Sequence, residues 1–271
     1  VTLAFDAVGP SSAGAGATSA SPSWSHVITG TNNLLLAAVV CDTDATTITA
    51  ITYGGTAMTP LVAGAGNYIH ANNAGAGWVA VYKLVNAPAG TATVAVTLSA
   101  SSVWEGGSLS FSGADTVTGI GTPQNAEGTS LSQPTMSFTP TTSGRLIAAF
   151  LGCGNQINSA TSPLTSRWIK NQGGSNAGGM SGGATAPSTG SAVTLTWSIT
   201  ADFWGIMAAE VLAAGSVANA PAGLAAGSGV AQSPLTSPYS LLSGPNHAAT
   251  ATDLGGNYGS WATPQYAEGG P

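Results

Sequence analysis

The sequence predicts an all-β fold: a β-sandwich or jelly roll built from two sequence-similar halves, followed by an extended C-terminal arm. Three observations carry this. Val94, Val96 and Leu98 alternate with Thr93, Ala95 and Thr97, and Leu109 and Phe111 alternate with Ser108, Ser110 and Ser112. That period of two is the mark of a strand with one face buried. Next, Gly 38 and Pro 15 stand beside only 5% charged residues, so turn formers abound and the long-chain helix formers are nearly absent. Last, the stretch 78–113 recurs. Set 99 positions downstream without gaps, Pro88 falls on Pro187, Val94 on Val193, Val96 on Leu195, Leu98 on Trp197 and Gly106 on Gly205.

In chain order, Val1 to Phe5 alternates as a strand, a Gly/Ser/Ala loop runs from Gly9 to Ser23, and Trp24 to Ile28 reads as a second strand. Asn32-Asn33 turns the chain into LLLAAVVC (34–41), a continuous apolar run of strand length expected to be buried on both faces. Ile48 to Thr52 alternates again. Tyr53-Gly54-Gly55-Thr56 then reads as strand, tight turn, strand, with glycine free to take positive φ. Residues 64–77 form a loop with His70, and three strands fill 78–113. A polar crossover spans 114–142, in which Leu131, Met136 and Phe138 mark one extended segment.

The second half answers the first. SGRLIAAFLGC (143–153) corresponds to TNNLLLAAVVC (31–41), Ser166 to Ile169 to the Tyr53 region, and the Gly-rich loop 173–186 to 64–77. Residues 1–215 therefore read as a duplicated sandwich, with halves of about 1–115 and 116–215. Small residues dominate and the apolar alternation is thin, so the halves are expected to share one core; two separate domains are the alternative. Cys41 and Cys153 end equivalent strands. They read as buried free thiols, with a bridge between the halves as the other possibility.

Residues 216–271 keep neither period, and Pro221, Pro234, Pro238, Pro245 and Pro264 interrupt them. Yet Leu235, Tyr239, Leu241, Leu242, Tyr258 and Trp261 are more apolar and aromatic than a solvated linker needs. The expectation is an arm that lies along a neighbouring subunit, stiffened by proline and anchored by these six side chains.

Chemistry is sparse. Four Lys+Arg against ten Asp+Glu cannot neutralise a phosphate backbone, so no nucleic-acid partner is expected. No apolar run reaches the roughly 18 residues of a membrane helix. His26, His70 and His247 share no ligand spacing, and Asp42 with Asp44 lacks the further ligands of a calcium loop. No metal or cofactor is expected. Glu105 and Glu210 are carboxylates in separate segments, and a glycosidase needs two that converge. GSLSFSG (107–113) reads as strand, not nucleophile elbow. No enzymatic activity is expected.

The strings FDAVGPSSAG, SWSHVITGTNNLLLAAVV, ITYGGTAMTPL, VYKLVNAPAGTATVAVTLSAS and GGSLSFSGAD, spread over about 1–214, carry a resemblance. Together they resemble a duplicated β-sandwich module of tail and other virion proteins of actinobacterial phages; similar modules occur in secreted bacterial proteins. Here Asn33 stands where a basic residue is common in the module. The resemblance implies a structural or adhesive role without catalytic residues. Two functions follow as expectations. One is a virion component, a minor tail or capsid decoration protein, whose partners are other virion subunits in a homo-oligomer. The other is an extracellular carbohydrate-binding module that meets a host cell-wall glycan through exposed tryptophans.

Overall fold

Two small sheets enclose two large ones, giving four stacked β-layers and three apolar cores between them. The computed structural model describes residues 2–69, 77–171 and 179–215. The first half supplies β1 (Ala4–Gly9), β2 (Ala15–Ser19), β3 (Ser23–Ile28), β4 (Leu34–Cys41), β5 (Ile48–Tyr53), β6 (Thr56–Ala57), β7 (Thr59–Pro60), β8 (Tyr68–Ile69), β9 (Trp78–Val85), β10 (Gly90–Leu98) and β11 (Ser102–Ser112). The second supplies β12 (Gln124–Leu131), β13 (Thr135–Phe138), β14 (Ser143–Cys153), β15 (Ile157–Thr161), β16 (Thr165–Lys170), β17 (Met180–Thr189), β18 (Val193–Ile199) and β19 (Asp202–Val211).

The large sheets run β1-β11-β4-β9-β7 and β12-β19-β14-β17-β16; the small ones run β3-β10-β5-β6 and β13-β18-β15. All ladders are antiparallel. Each half is thus a sandwich of one large and one small sheet, with corresponding strands in the same order. The two large sheets then face each other.

This stacking explains the continuous apolar run of β4. Leu34, Leu36, Ala38 and Val40 enter the core between the large sheets, while Leu35, Ala37, Val39 and Cys41 enter the core of the first sandwich. In β14, Ala148 and Phe150 face the central core, while Ile147, Ala149, Leu151 and Cys153 face the core of the second sandwich. A strand with no wet face needs no polar alternation. The single core expected from the sequence is therefore one of three: each half buries its own, and the third joins them.

Several local expectations change. The 99-residue offset holds along β10 and β18, whose Val94, Val96, Leu98 and Val193, Leu195, Trp197 line equivalent cores. One extra residue then intervenes, and the offset becomes 100. Trp104 pairs with Cys41 as Trp204 pairs with Cys153. Overlaying Gly106 on Gly205 was one residue out of step, which in a strand moves a side chain to the opposite face.

The loop read at 173–186 includes the central strand β17, and the crossover at 114–142 contains two strands, β12 and β13. Met136 and Phe138 are buried, but Leu131 is exposed. β2 lies inside the loop read at 9–23, and β16 occupies the place of β7, whereas the small-sheet counterpart of β5 is β15. The Tyr53–Thr56 turn is as expected, with Gly54 at φ 55° and Gly55 at φ 82°, the pair of positive values a tight hairpin requires.

Gly182 and Gly183 show why β17 reads as a loop. A Cβ on Gly183 would lie 2.1 Å from the Trp168 ring, and one on Gly182 would lie 2.8 Å from Trp197. Two consecutive glycines let two indoles rest on opposite faces of one sheet. Pro187 sits in the same strand, paired with Leu146 but beyond the end of the ladder to β16. There its missing N–H removes no hydrogen bond on that side.

Candidate functional site

The six arm residues, Leu235, Tyr239, Leu241, Leu242, Tyr258 and Trp261, lie outside the described residues, as do His70 and His247. The remaining sequence candidates are all placed.

The alternating serines of β11 face inward, toward the small sheet of their own sandwich, and meet β3 there. Ser108 Oγ accepts a hydrogen bond from Trp24 Nε1 at 2.9 Å and lies 2.8 Å from His26 Nδ1. Ser110 Oγ donates to Asp6 at 2.8 Å, and Asp6 also receives the hydroxyl and amide of Thr29. Serine, histidine and aspartate thus share one cluster, but not as a nucleophile site. Asp6 orients Ser110 and Thr29 rather than the imidazole. Ser108 and His26 are sealed, at 0% and 1% exposure. A Cβ on Gly9 would collide with the imidazole, 2.3 Å from Nδ1, so the Gly9 backbone packs directly against the ring.

Burial pulls the His26 imidazole down to about 4, against a smaller opposing pull from Asp6. The unfolded chain binds a proton at about 6.5 that the folded chain refuses until about 4, so stability is full above pH 6.5 and falls as the pH drops through that window. Urea unfolding followed by tryptophan fluorescence should lose about 2 kcal/mol between pH 7 and pH 5, a loss that His26→Asn removes. An equal pH slope in His26→Asn would assign the loss to other groups.

The two glutamates do not converge. Glu105 lies on the face of β11 that carries Leu109 and Phe111, toward the opposite large sheet. Glu210 lies on the face of β19 that carries Ile206 and Ala208, toward the small sheet. The second large sheet separates them. Asp42 accepts a hydrogen bond from Ser102 at 3.1 Å, and among the described residues no three His, Cys, Asp or Glu gather as a metal site. Cys41 and Cys153 are free and buried. Burial pushes the Cys41 thiol up to about 12 and Cys153 higher still, so neither supplies a thiolate.

Trp24, Trp78, Trp104, Trp168, Trp197 and Trp204 are all buried, at 5% exposure or less. None of these six offers a face to a sugar. They pack cores instead: Trp24 stacks on Trp104 at 5.8 Å, and Trp78 meets Tyr68 edge-on at 4.7 Å.

One feature was not visible in the sequence. A cleft of about 400 Å³ opens at the seam of the two halves. Its floor is the linker after β11, which extends β19: Ile120 bridges Val211, Gly121 N donates to Glu210 O at 2.8 Å, and Leu212 N donates to Gly119 O at 2.9 Å. Asp115 holds the linker turn, accepting from Thr118 N at 2.7 Å and Val117 N at 3.1 Å. These hydrogen bonds keep its carboxyl below the usual range.

Lys83 of β9 and Arg145 of β14 line this cleft. Lys83 Nζ donates to Thr118 O at 3.1 Å, and burial lowers its ammonium below the ordinary lysine value. Arg145 lies 3.6 Å from Glu210, with 14% of its side chain exposed. Glu210 is already well supplied: Thr141 N at 2.9 Å, Thr141 Oγ1 at 2.5 Å and Thr142 N at 3.3 Å donate to it, and Ser188 Oγ, which donates to Thr142 O, lies 3.2 Å away.

Comparison with protein-family models, with curated proteins and with solved structures finds no match.

Proposed function

We propose that this chain is a structural virion component, a phage minor tail or decoration protein that assembles with copies of itself and with other virion subunits. The observation that carries the reading is the outer surface of the two small sheets. Ser23 and Ser25 on β3, Thr91, Thr93 and Thr97 on β10, and Thr135 and Ser137 on β13 point outward at alternate positions, with no charged residue among them. Such faces present hydroxyls to their neighbours and no like charges to hold copies apart. The likeness of the five sequence strings to virion modules supports the same reading.

In this reading the arm, residues 216–271, supplies the contact between subunits. Ordering it costs about 1 to 2 kcal/mol per residue of backbone, and its few large side chains return roughly 1.5 to 3 kcal/mol each. Pairing with a neighbour's sheet edge makes up the difference. Deleting 216–271 should leave the melting temperature nearly unchanged and abolish assembly in analytical ultracentrifugation. Replacing Tyr239, Leu242 and Trp261 together by Ala should reproduce most of that loss. A truncated chain that assembles like the full one would remove the arm from the account, and its absence from purified particles by mass spectrometry would remove the virion.

A further inference from the structure

We propose that the seam cleft is a binding site for an acidic sugar, a hydroxyl-bearing ring that carries one carboxylate. The site does not depend on assembly of the chain with other subunits. The chain holds four Lys+Arg and a net charge of −6, yet Lys83 and Arg145, from different halves, line the same cleft. Among the described residues Lys83 Nζ has one acceptor, the carbonyl of Thr118, which leaves two of its three donors uncommitted there. Arg145 gives one N–H to Thr141 Oγ1 at 3.2 Å and forms an ion pair with Glu210 at 3.6 Å. Glu210 takes its hydrogen bonds from neutral donors, so most of the guanidinium fork remains for a ligand.

The half-buried Lys83 ammonium is costly to leave without an anion, while the mostly buried Arg145 guanidinium already has the Glu210 carboxylate at 3.6 Å. Lys83 and Arg145 bring two cations to the cleft, with Glu210 beside Arg145 and Asp115 on the linker turn at Thr118. The walls indicate what else the ligand carries. Thr118, Thr122, Thr141 and Thr142 line the cleft as polar residues, the hydroxyls of Thr118 and Thr141 already donating to Asp115 and Glu210, while Leu61, Ile120 and Leu212 line it as apolar ones. A pyranose ring has both characters, hydroxyls around its edge and C–H groups on its faces. The volume, about 400 Å³, lies within the range of small-ligand pockets. The floor is preorganised, since the linker is hydrogen-bonded to β19 along its length and less ordering accompanies binding.

The test is titration of the full chain with glucuronate, glucose and inorganic phosphate at low salt, followed by amide shifts in ¹H–¹⁵N spectra. Glucuronate should shift the amides of 118–122 and 141–145 and saturate with a Kd on the order of 1 mM or tighter. Glucose should bind at least about tenfold more weakly, because it lacks the charge-assisted contact. Lys83→Met should weaken glucuronate about tenfold or more. Arg145→Lys, which keeps the charge beside Glu210 but loses the fork, should weaken it about fivefold. Three results would overturn the proposal: no shifts with glucuronate at tens of millimolar, equal binding of glucuronate and glucose, or unchanged affinity in a folded Lys83→Met chain. Phosphate binding as tightly as glucuronate would also overturn it, by showing a site for the anion alone.

Discussion

Trp168→Ala should be the most damaging single truncation in the described fold, costing about 3 to 5 kcal/mol. The side chain belongs to β16 of the second half, yet it is fully buried in the core between the two large sheets. Its ring lies over Gly183 of the neighbouring strand and against Gly107 of β11 in the first half, where an added Cβ would come within 2.8 Å. Phe150 packs beside it at 5.7 Å, and its Nε1 donates to Ser181 Oγ at 3.2 Å. Around it the halves are tied again: Arg167 lies 3.8 Å over the Phe5 ring, and Ile169 N donates to Ser12 O at 3.1 Å. Truncation would leave an indole-sized void that glycines cannot fill. Rigid packed walls do not collapse into such a void.

The converse substitution sharpens the test. Gly183→Ala should itself destabilise by about 1 to 3 kcal/mol through overpacking, but should cost far less in the Trp168→Ala background, where the ring it strikes is gone. Equilibrium unfolding of the four proteins gives the coupling. Additive costs, or a Trp168→Ala loss below about 1 kcal/mol, would show that this indole is not the wedge between the halves.

Much of the fold was legible because strand burial leaves a simple trace. The alternation in β10 and the unbroken apolar run in β4 announce one dry face and two dry faces respectively, and Gly54-Gly55 announces its turn. Where the reading failed, the cause was physical. Gly182 and Gly183 carry no apolar side chain, so β17 reads as a loop; they are small because two indoles from other strands occupy the space. β12 is an edge strand with largely exposed side chains, so QNAEGTSL carries no apolar stripe. The inserted residue before β19 leaves Gly106 aligned with Gly205 by eye, and only the pairing of both tryptophans with the two cysteines reveals the true register.

The candidate site was harder still. Asp6, His26, Ser108 and Ser110 come from three strands, and the serines read as a wet face although they are buried beneath β3. Lys83 and Arg145 are far apart in sequence, and only the stacking of the large sheets brings both to one cleft. The tryptophans read more plainly, since most fall at repeat-equivalent strand positions and so point to core packing. Of the seven in the chain, the six described ones fill cores.

The halves stand only together, each complete as a sandwich but each with a second apolar face closed by the other. Leu34, Leu36, Val79, Val81, Leu109 and Phe111 are all at 1% exposure or less and all line the central core. Separating the halves would return this face to water, a loss on the order of 10 kcal/mol, comparable to the whole stability of a domain. A patch of that size does not persist on a soluble monomer. The direct measurement is thermal unfolding of residues 1–115 and residues 116–215, each expressed alone and sized by analytical ultracentrifugation. Neither fragment should give a cooperative transition as a monomer. A monomeric 1–115 that melts cooperatively would contradict this and show two independent sandwiches placed side by side.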